Sequence, residues 1–224
     1  MNKKVSFWEF FQGLGKTFML PVSLLAACGI MLGIGSSFAS SVTAEILPFL
    51  KNPILKVFFE FMATIGSFAF SNLPVMFAMA IPLGLARQDK GVAAFSGYVG
   101  FAMSSLSVNF FLKATGTLAT PENMKAAGQS MVLGIQSIDI GVLGGVLIGI
   151  IVYKIHDRYC EIKLPDALAF FGGARFVPIA TAVIVGVVSL LIPFIWPFFN
   201  NMIMGVGKMI GKAGAFGPFL FGAG

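Results

Sequence analysis

Long apolar blocks alternate along this chain with short polar breaks. The first block, residues 17–39 (TFMLPVSLLAACGIMLGIGSSFA), contains no charge. As a helix rising about 1.5 Å per residue it covers roughly 34 Å, enough to cross a ~30 Å hydrocarbon core. Pro21 lies near its start, where a missing N–H matters least. Gly29 and Gly33 give a GxxxG spacing that admits a close neighbour. Upstream, Phe7, Phe11, Leu14 and Phe18 recur at i, i+4, i+7 and i+11, opposite Ser6, Glu9, Gly13 and Lys16. This pattern predicts an amphipathic helix over residues 5–18 lying in the membrane interface, with Trp8, Lys3 and Lys4 at headgroup level.

The second block, residues 54–86, is too long for one simple span. Ser71-Asn72-Leu73-Pro74 breaks it, and Pro82 is expected to break it again. Residues 54–73 are long enough to span; residues 74–86 are not. A broken or re-entrant piece at membrane depth leaves backbone groups free, and these need cover from protein or a water-filled cavity. Asn72 is thus a candidate for capping the break or lining a cavity.

Residues 92–112 form the next span. Ala93, Gly97, Gly100, Ser104 and Ser107 make a stripe of small residues down one face. Such a stripe serves tight helix packing, or a small polar face beside a sugar or water path. Residues 113–130 read as a polar loop and 131–153 as a span with Gly141, Gly145 and Gly149 on one face. Residues 154–176 read as a mixed loop. Residues 177–199 read as the last clear span, with Pro178 in its first turn and Trp196 at its far end, where aromatic belts sit. Residues 200–224 are Gly-rich and end on an apolar "FLFGAG". They read as the start of a further segment in a truncated chain. The organisation expected is therefore an interfacial helix (1–16), a transmembrane unit (17–199) and the beginning of a following segment (200–224).

Composition agrees. The 224 residues are 57% hydrophobic and 11% charged, with a mean hydropathy of +0.92; soluble domains carry about 25% charged residues. The fold class expected is an all-α, polytopic membrane protein. Its net charge of +6 then bears on topology and not on nucleic acid. With a cytoplasmic N-terminus and one net crossing over 54–86, nine Lys and Arg fall inside and six outside. That asymmetry predicts five net crossings plus the broken piece. The first apolar run exceeds the 7–15 residues of a signal-peptide core, so it is read as a span.

Candidate chemistry is sparse. Glu60 and Asp139 are the acids well inside apolar runs, and intramembrane charge is costly enough to suggest function. A structural ion pair or a solvated position would also account for each. His156, the single histidine, reads as a surface residue beyond the end of a span. Cys28 and Cys160 show no metal or redox spacing, and no nucleotide, metalloprotease or calcium-loop motif occurs. Neither a metal nor a cofactor is implied. The stretch "FFGGARFVP" (170–178) has the glycines and cation of a phosphate cradle. It leads, however, into an apolar helix and not out of a strand. Gly172 and Gly173 read as a tight turn, and Arg175 as an anchor at lipid headgroups or on an acid.

Three stretches carry a resemblance: "SNLPVMFAMAIPLGLARQDKGVAAFSGYVGF" (71–101), "LPDALAFFGGARFVPI" (164–179) and "FWEFFQGLGKTFMLPVSLLAACGIMLGIG" (7–35). They resemble the membrane component, enzyme IIC, of the bacterial phosphoenolpyruvate-dependent sugar phosphotransferase system, in its glucose, maltose and N-acetylglucosamine branch. The maltose- and glucose-type members fit best. The resemblance implies a dimeric inner-membrane permease of about ten spans. In it the first half is scaffold and dimer interface, and the second half carries the sugar. A phosphocysteine on a separate IIB domain phosphorylates the sugar on the cytoplasmic side, and Gly172, Gly173 and Arg175 are the candidates for contact to that donor domain. The family's His- and Glu-containing sugar motifs lie downstream of these residues, so no catalytic residue carries over. Asn72, Glu60 and Asp139 are the candidates for sugar contact. These residues alone are not expected to transport or phosphorylate sugar. A half of a secondary transporter, or a membrane scaffold without transport, is the competing reading from the residues.

Overall fold

The computed structural model describes residues 7–212. Helices α1 (Phe7–Thr17) and α2 (Met19–Ala39) meet at Phe18 and together make an apolar helix over Trp8–Ala39, 32 residues long. A short helix α3 (Ser41–Ile46) and a 3-10 turn (Pro48–Lys51) return the chain to α4 (Pro53–Ser71). Pro53 sits at the first helical position, and the Asn52 side chain accepts the Ile54 N–H at 2.9 Å, a regular N-cap.

Helix α2 packs along α4 at points without bulk. Its buried residues are Pro21, Cys28 and Gly35, seven apart, and those of α4 are Gly66 and Ala69. A Cβ on Gly35 would strike the backbone of Phe59 and Ala63, and one on Gly66 the backbone of Cys28 and Leu32. The seam therefore runs through Gly35. At Gly33, on the expected GxxxG face, a Cβ would meet nothing within 4 Å, and at Gly29 only the Phe70 ring at 3.6 Å.

The break at Asn72 lies where the sequence places it, between α4 and α5 (Leu73–Leu85). Pro82 does not break the chain a second time. It lies inside α5 and is buried. Its missing N–H leaves the Ala78 carbonyl without its usual i+4 donor. That carbonyl lies where a Cβ on Gly97 would go, so the bare face of Gly97 accommodates it. Helix α6 (Lys90–Ala114) thus packs tightly on α5 at Gly97, while Gly100, further along the small-residue stripe, faces Ile148, Val152 and Thr181. Gly145 fits against Pro74 in the same way, and Gly149 lies along Phe77 and Ile81.

The span expected over 131–153 divides in two. Residues Gln129–Val132 (β1) and Ile135–Ile138 (β2) form an antiparallel hairpin with Val132 opposite Ile135. Leu133 and Gly134 between them have φ of 52° and 76°, the two-residue turn with both φ positive that suits strand twist. The helix α7 begins only at Gly141 and runs to Tyr159. The hairpin is tied down by amide side chains. Gln129 Nε2 donates to Thr117 O (2.9 Å), Gln136 Nε2 to Gln129 Oε1 and Ala119 O (both 2.8 Å), and Asn109 Nδ2 to Gln136 O (2.7 Å).

The last span is also divided. Helix α8 (Phe176–Ser189) and helix α9 (Ile192–Lys212) are bent by 64° where they meet. Leu190 and Leu191 make tight i−3 hydrogen bonds to Val187 and Val188. Pro193 then lacks the N–H that would have continued the ladder to Ser189. Among the described residues, three helices are long and apolar enough to cross a membrane, or four if the bent α8–α9 pair is one span. Five net crossings are expected from the sequence, and the difference lies in these divided segments. Helix α7 is 19 residues long but carries Lys154, Asp157 and Arg158 near its end. The molecule is an all-α polytopic membrane protein with one small hairpin. Its core is Val75, Ala78, Phe101, Ile148, Val152 and Val177, contributed by α5, α6, α7 and α8. Of the segment expected over 200–224, residues up to Lys212 continue α9; the remainder lies outside the described residues, as do Lys3 and Lys4.

Candidate functional site

Two of the three candidate sugar contacts come together. Asn72 follows the last residue of α4, and Asp139 follows β2 just before α7. Helices α5 and α7 run in the same direction, with Pro74 against Gly145, so both residues lie at one end of the bundle. They line a cavity of about 390 Å³ with Ser71, Pro74, Ser130 and Gly141. The hairpin supplies Ser130, so the unforeseen strands are what complete this cavity.

Each side chain first serves its own backbone. Asn72 Nδ2 donates to Phe68 O at 3.0 Å, capping the end of α4. Asp139 Oδ1 accepts the Gly141 N–H at 3.0 Å at the start of α7. Trp196 Nε1 donates to Asp139 O at 3.0 Å, which fixes α9 to the same corner. These bonds hold the two side chains in place. They leave Asn72 Oδ1 and Asp139 Oδ2 without a hydrogen-bond partner among the described residues. A carboxylate and an amide beside two serine hydroxyls, in a partly apolar cleft, suit a neutral ligand rich in hydroxyl groups.

Glu60 does not belong to this group. It lies twelve residues before Asn72, about 18 Å along the helix axis. Its side chain is exposed and pairs with Lys56 at 3.8 Å. That is a surface ion pair one helical turn apart, the alternative that its sequence leaves open.

The third candidate set lies at the opposite end of α7, whose 19 residues span about 28 Å. Gly172 closes a 3-10 turn on Ala169 O (3.0 Å), and Gly173, at φ 64°, donates to Ile162 O at 2.8 Å. Arg175 stacks its guanidinium 4.9 Å from the Phe170 ring centre and donates from Nη1 to Phe170 O at 3.3 Å. It makes no ion pair with an acid among the described residues. Gly172 and Gly173 shape the turn that admits α8.

The structure corrects the reading of His156. It is 2% exposed and faces a second polar cavity, at the same end as Arg175. Its neighbours explain why sequence reasoning misses it. The flanking Lys154, Asp157 and Arg158 suggest a solvated loop, but α7 continues to Tyr159 and turns His156 inward with Val152 and Ile155. The helical spacing from Val152 to His156 was the available signal. Among the described residues, no group of three or more His, Cys, Asp or Glu could hold a metal ion.

Comparison with known proteins extends this picture. A family model described as "Phosphotransferase system, EIIC" matches residues 15–224. The "PTS system maltose-specific EIICB component" of Escherichia coli (strain K12) is 58% identical over 223 residues, 99% of this chain and 42% of that protein. The "PTS system glucose-specific EIICBA component" of Staphylococcus saprophyticus is 37% identical over 188 residues, 83% of this chain and 27% of that protein. The chain thus spans less than half the length of either relative.

Proposed function

The chain belongs to the phosphotransferase system EIIC family, and we propose that it forms the scaffold half of a permease that takes up a glucose- or maltose-type sugar and couples uptake to phosphorylation. The family match over residues 15–224 carries this reading. The names of the relatives, one maltose-specific and one glucose-specific, support the substrate class. Both are EIIC fused to further components, which supports a phosphorylated IIB domain as the partner.

In this reading the Asn72–Asp139 cavity faces the outside and meets the sugar before it reaches the second half of the carrier. The amide and the carboxylate exchange hydrogen bonds with sugar hydroxyls in place of water. The 164–179 turn and Arg175 lie on the cytoplasmic face, as does the N-terminus. This orientation follows from the distribution of Lys and Arg. Lipid covers the outward apolar faces, and the permease works as a homodimer.

The test uses the full-length carrier in cells lacking their own glucose and maltose carriers. Labelled sugar should accumulate as sugar phosphate, and only with the IIB component present. Accumulation of unmodified sugar would overturn the coupling. Asn72→Ala should raise the KM for uptake and leave the phosphorylation step unchanged. An unchanged KM would remove Asn72 from the sugar path.

A further inference from the structure

The cavity around His156 is not used by the sugar path described above. It measures about 290 Å³ and is walled by Arg87 and Gln88, from the turn between α5 and α6, and by His156, Asp157, Arg158 and Glu161 at the end of α7. The walls are held together. Gln88 Nε2 donates to Glu161 Oε1 at 2.9 Å and to Cys160 Sγ at 3.4 Å, across more than seventy residues of sequence. Asp89 takes a left-handed conformation, φ 48°, to close the turn. At the back of this cavity the His156 side chain is almost wholly buried, and its Nε2 has no hydrogen-bond partner among the described residues. Buried polar atoms are nearly always paired, so an unpaired ring nitrogen in the wall of a polar cavity points to a partner that comes from outside the chain.

We propose that this cavity binds a small phosphate ester that carries free hydroxyl groups. Guanidinium groups present forked donors that match phosphate oxygens, and the exposed Arg158 supplies one. The Asp157 and Glu161 carboxylates would oppose a bare anion, but they accept hydrogen bonds from hydroxyls. His156 Nε2 pairs with one such hydroxyl. A neutral sugar would leave the Arg158 guanidinium without an anion, and inorganic phosphate would leave the carboxylates facing charge. An ester joining both functions satisfies the whole wall. Two sources supply that chemistry: a soluble sugar phosphate, or the glycerol phosphate headgroup of a lipid in the adjoining leaflet. Only the first source rests on the sugar-phosphorylating function proposed above.

The full-length carrier in phosphatidylcholine nanodiscs decides the matter by thermal unfolding, since a ligand that binds the folded state raises Tm. Glucose 6-phosphate should raise Tm well beyond glucose or inorganic phosphate at equal concentration. Arg158, which is exposed, can be replaced without disturbing the core, and Arg158→Gln should weaken the response about tenfold, the loss of one charge-assisted contact. His156→Gln should weaken it as well. Should that variant fail to fold, Arg158→Gln decides alone. In a second arm, phosphatidylglycerol replaces part of the phosphatidylcholine. A Tm gain there that Arg158→Gln removes identifies the lipid as the source. No gain from either ligand, or a gain that survives Arg158→Gln, overturns the assignment. Sugar uptake measured separately tells this failure from a failure of the transport reading.

Discussion

Of the parts of this molecule apolar enough to cross a membrane, the α2–α4 pair and α6 differ in what they do with it. In the α2–α4 pair, 17% and 11% of the spanning windows are buried by protein; in α6 the figure is 44%. The pair turns Phe58, Phe61, Phe68 and Phe70 outward, together with Leu20 and Ile30. Helix α6 instead buries Ser96, Gly97, Gly100, Ser104 and Ser105. In a membrane, lipid tails match large apolar side chains as well as protein does, so bulk gives no reason to stay inside. Small residues do, because they let backbones approach. The comparison shows that small residues are what let these helices approach closely, with Phe101, Val108 and Leu112 of α6 filling the space between the close contacts.

The largest effect that could break this comparison is at Gly145, where a Cβ would collide with Pro74 backbone. Gly145→Leu separates α7 from α5 in the middle of the core. Overpacking commonly costs ~1–3 kcal/mol and more where backbone must move. The expected outcome is loss of the monodisperse carrier peak in fluorescence-detected size exclusion. Gly35→Leu meets backbone as tightly, but α2 has only α4 to push away, so a lowered Tm with a retained peak is expected. Gly33→Leu faces open space and should leave Tm unchanged; a drop as large as that of Gly35→Leu would refute the placement of the seam.

Smaller effects sharpen the contrast. Trp196→Phe removes the hydrogen bond to Asp139 O that secures α9 beside the hairpin. A loss of about 1 kcal/mol is expected, read as a modest Tm decrease and as faster hydrogen exchange at the start of α7. Glu60→Gln removes an exposed pair on α4 and should change stability by less than ~0.5 kcal/mol. A strong uptake defect in that variant would restore Glu60 as a functional residue.

The membrane class and the break at Asn72 were plain in the sequence. A chain so poor in charge cannot cover its apolar surface in water, and Pro74, just after Ser71-Asn72, lacks the N–H that would have carried α4 on and sits in the first turn of α5. The small-residue stripe on α6 was legible too, with both its uses left open; the packing of Gly97 on Ala78 favours the structural one. The hairpin was hidden because its strands, QSMV and IQSI, are only four residues each and run on into an apolar helix, and its turn is Leu-Gly instead of Asn-Gly. The α8–α9 bend was hidden for a similar reason: Pro193 lies in a run whose hydropathy never falls. Gly29 and Gly33 matched a known spacing, yet the close approach occurs at Gly35 and Gly66. Spacing within one helix does not say which face the neighbour occupies. Of the candidate site, Asn72 and Asp139 could each be suspected, but not that they meet. Their proximity depends on α5 and α7 running side by side, which no local pattern encodes.

The glutamine-tied hairpin has a consequence of another kind. A connecting loop between two membrane helices ordinarily owes its shape to water, which satisfies its peptide groups and must therefore reach them. Here the strands pair with each other, and Gln129, Gln136 and Asn109 bond to backbone carbonyls and to one another. The segment after α6 thus behaves as a rigid strut more than as a tether. It fixes how far apart α6 and α7 emerge. Any rearrangement that tilts α7 has to move this strut as a unit, or break it.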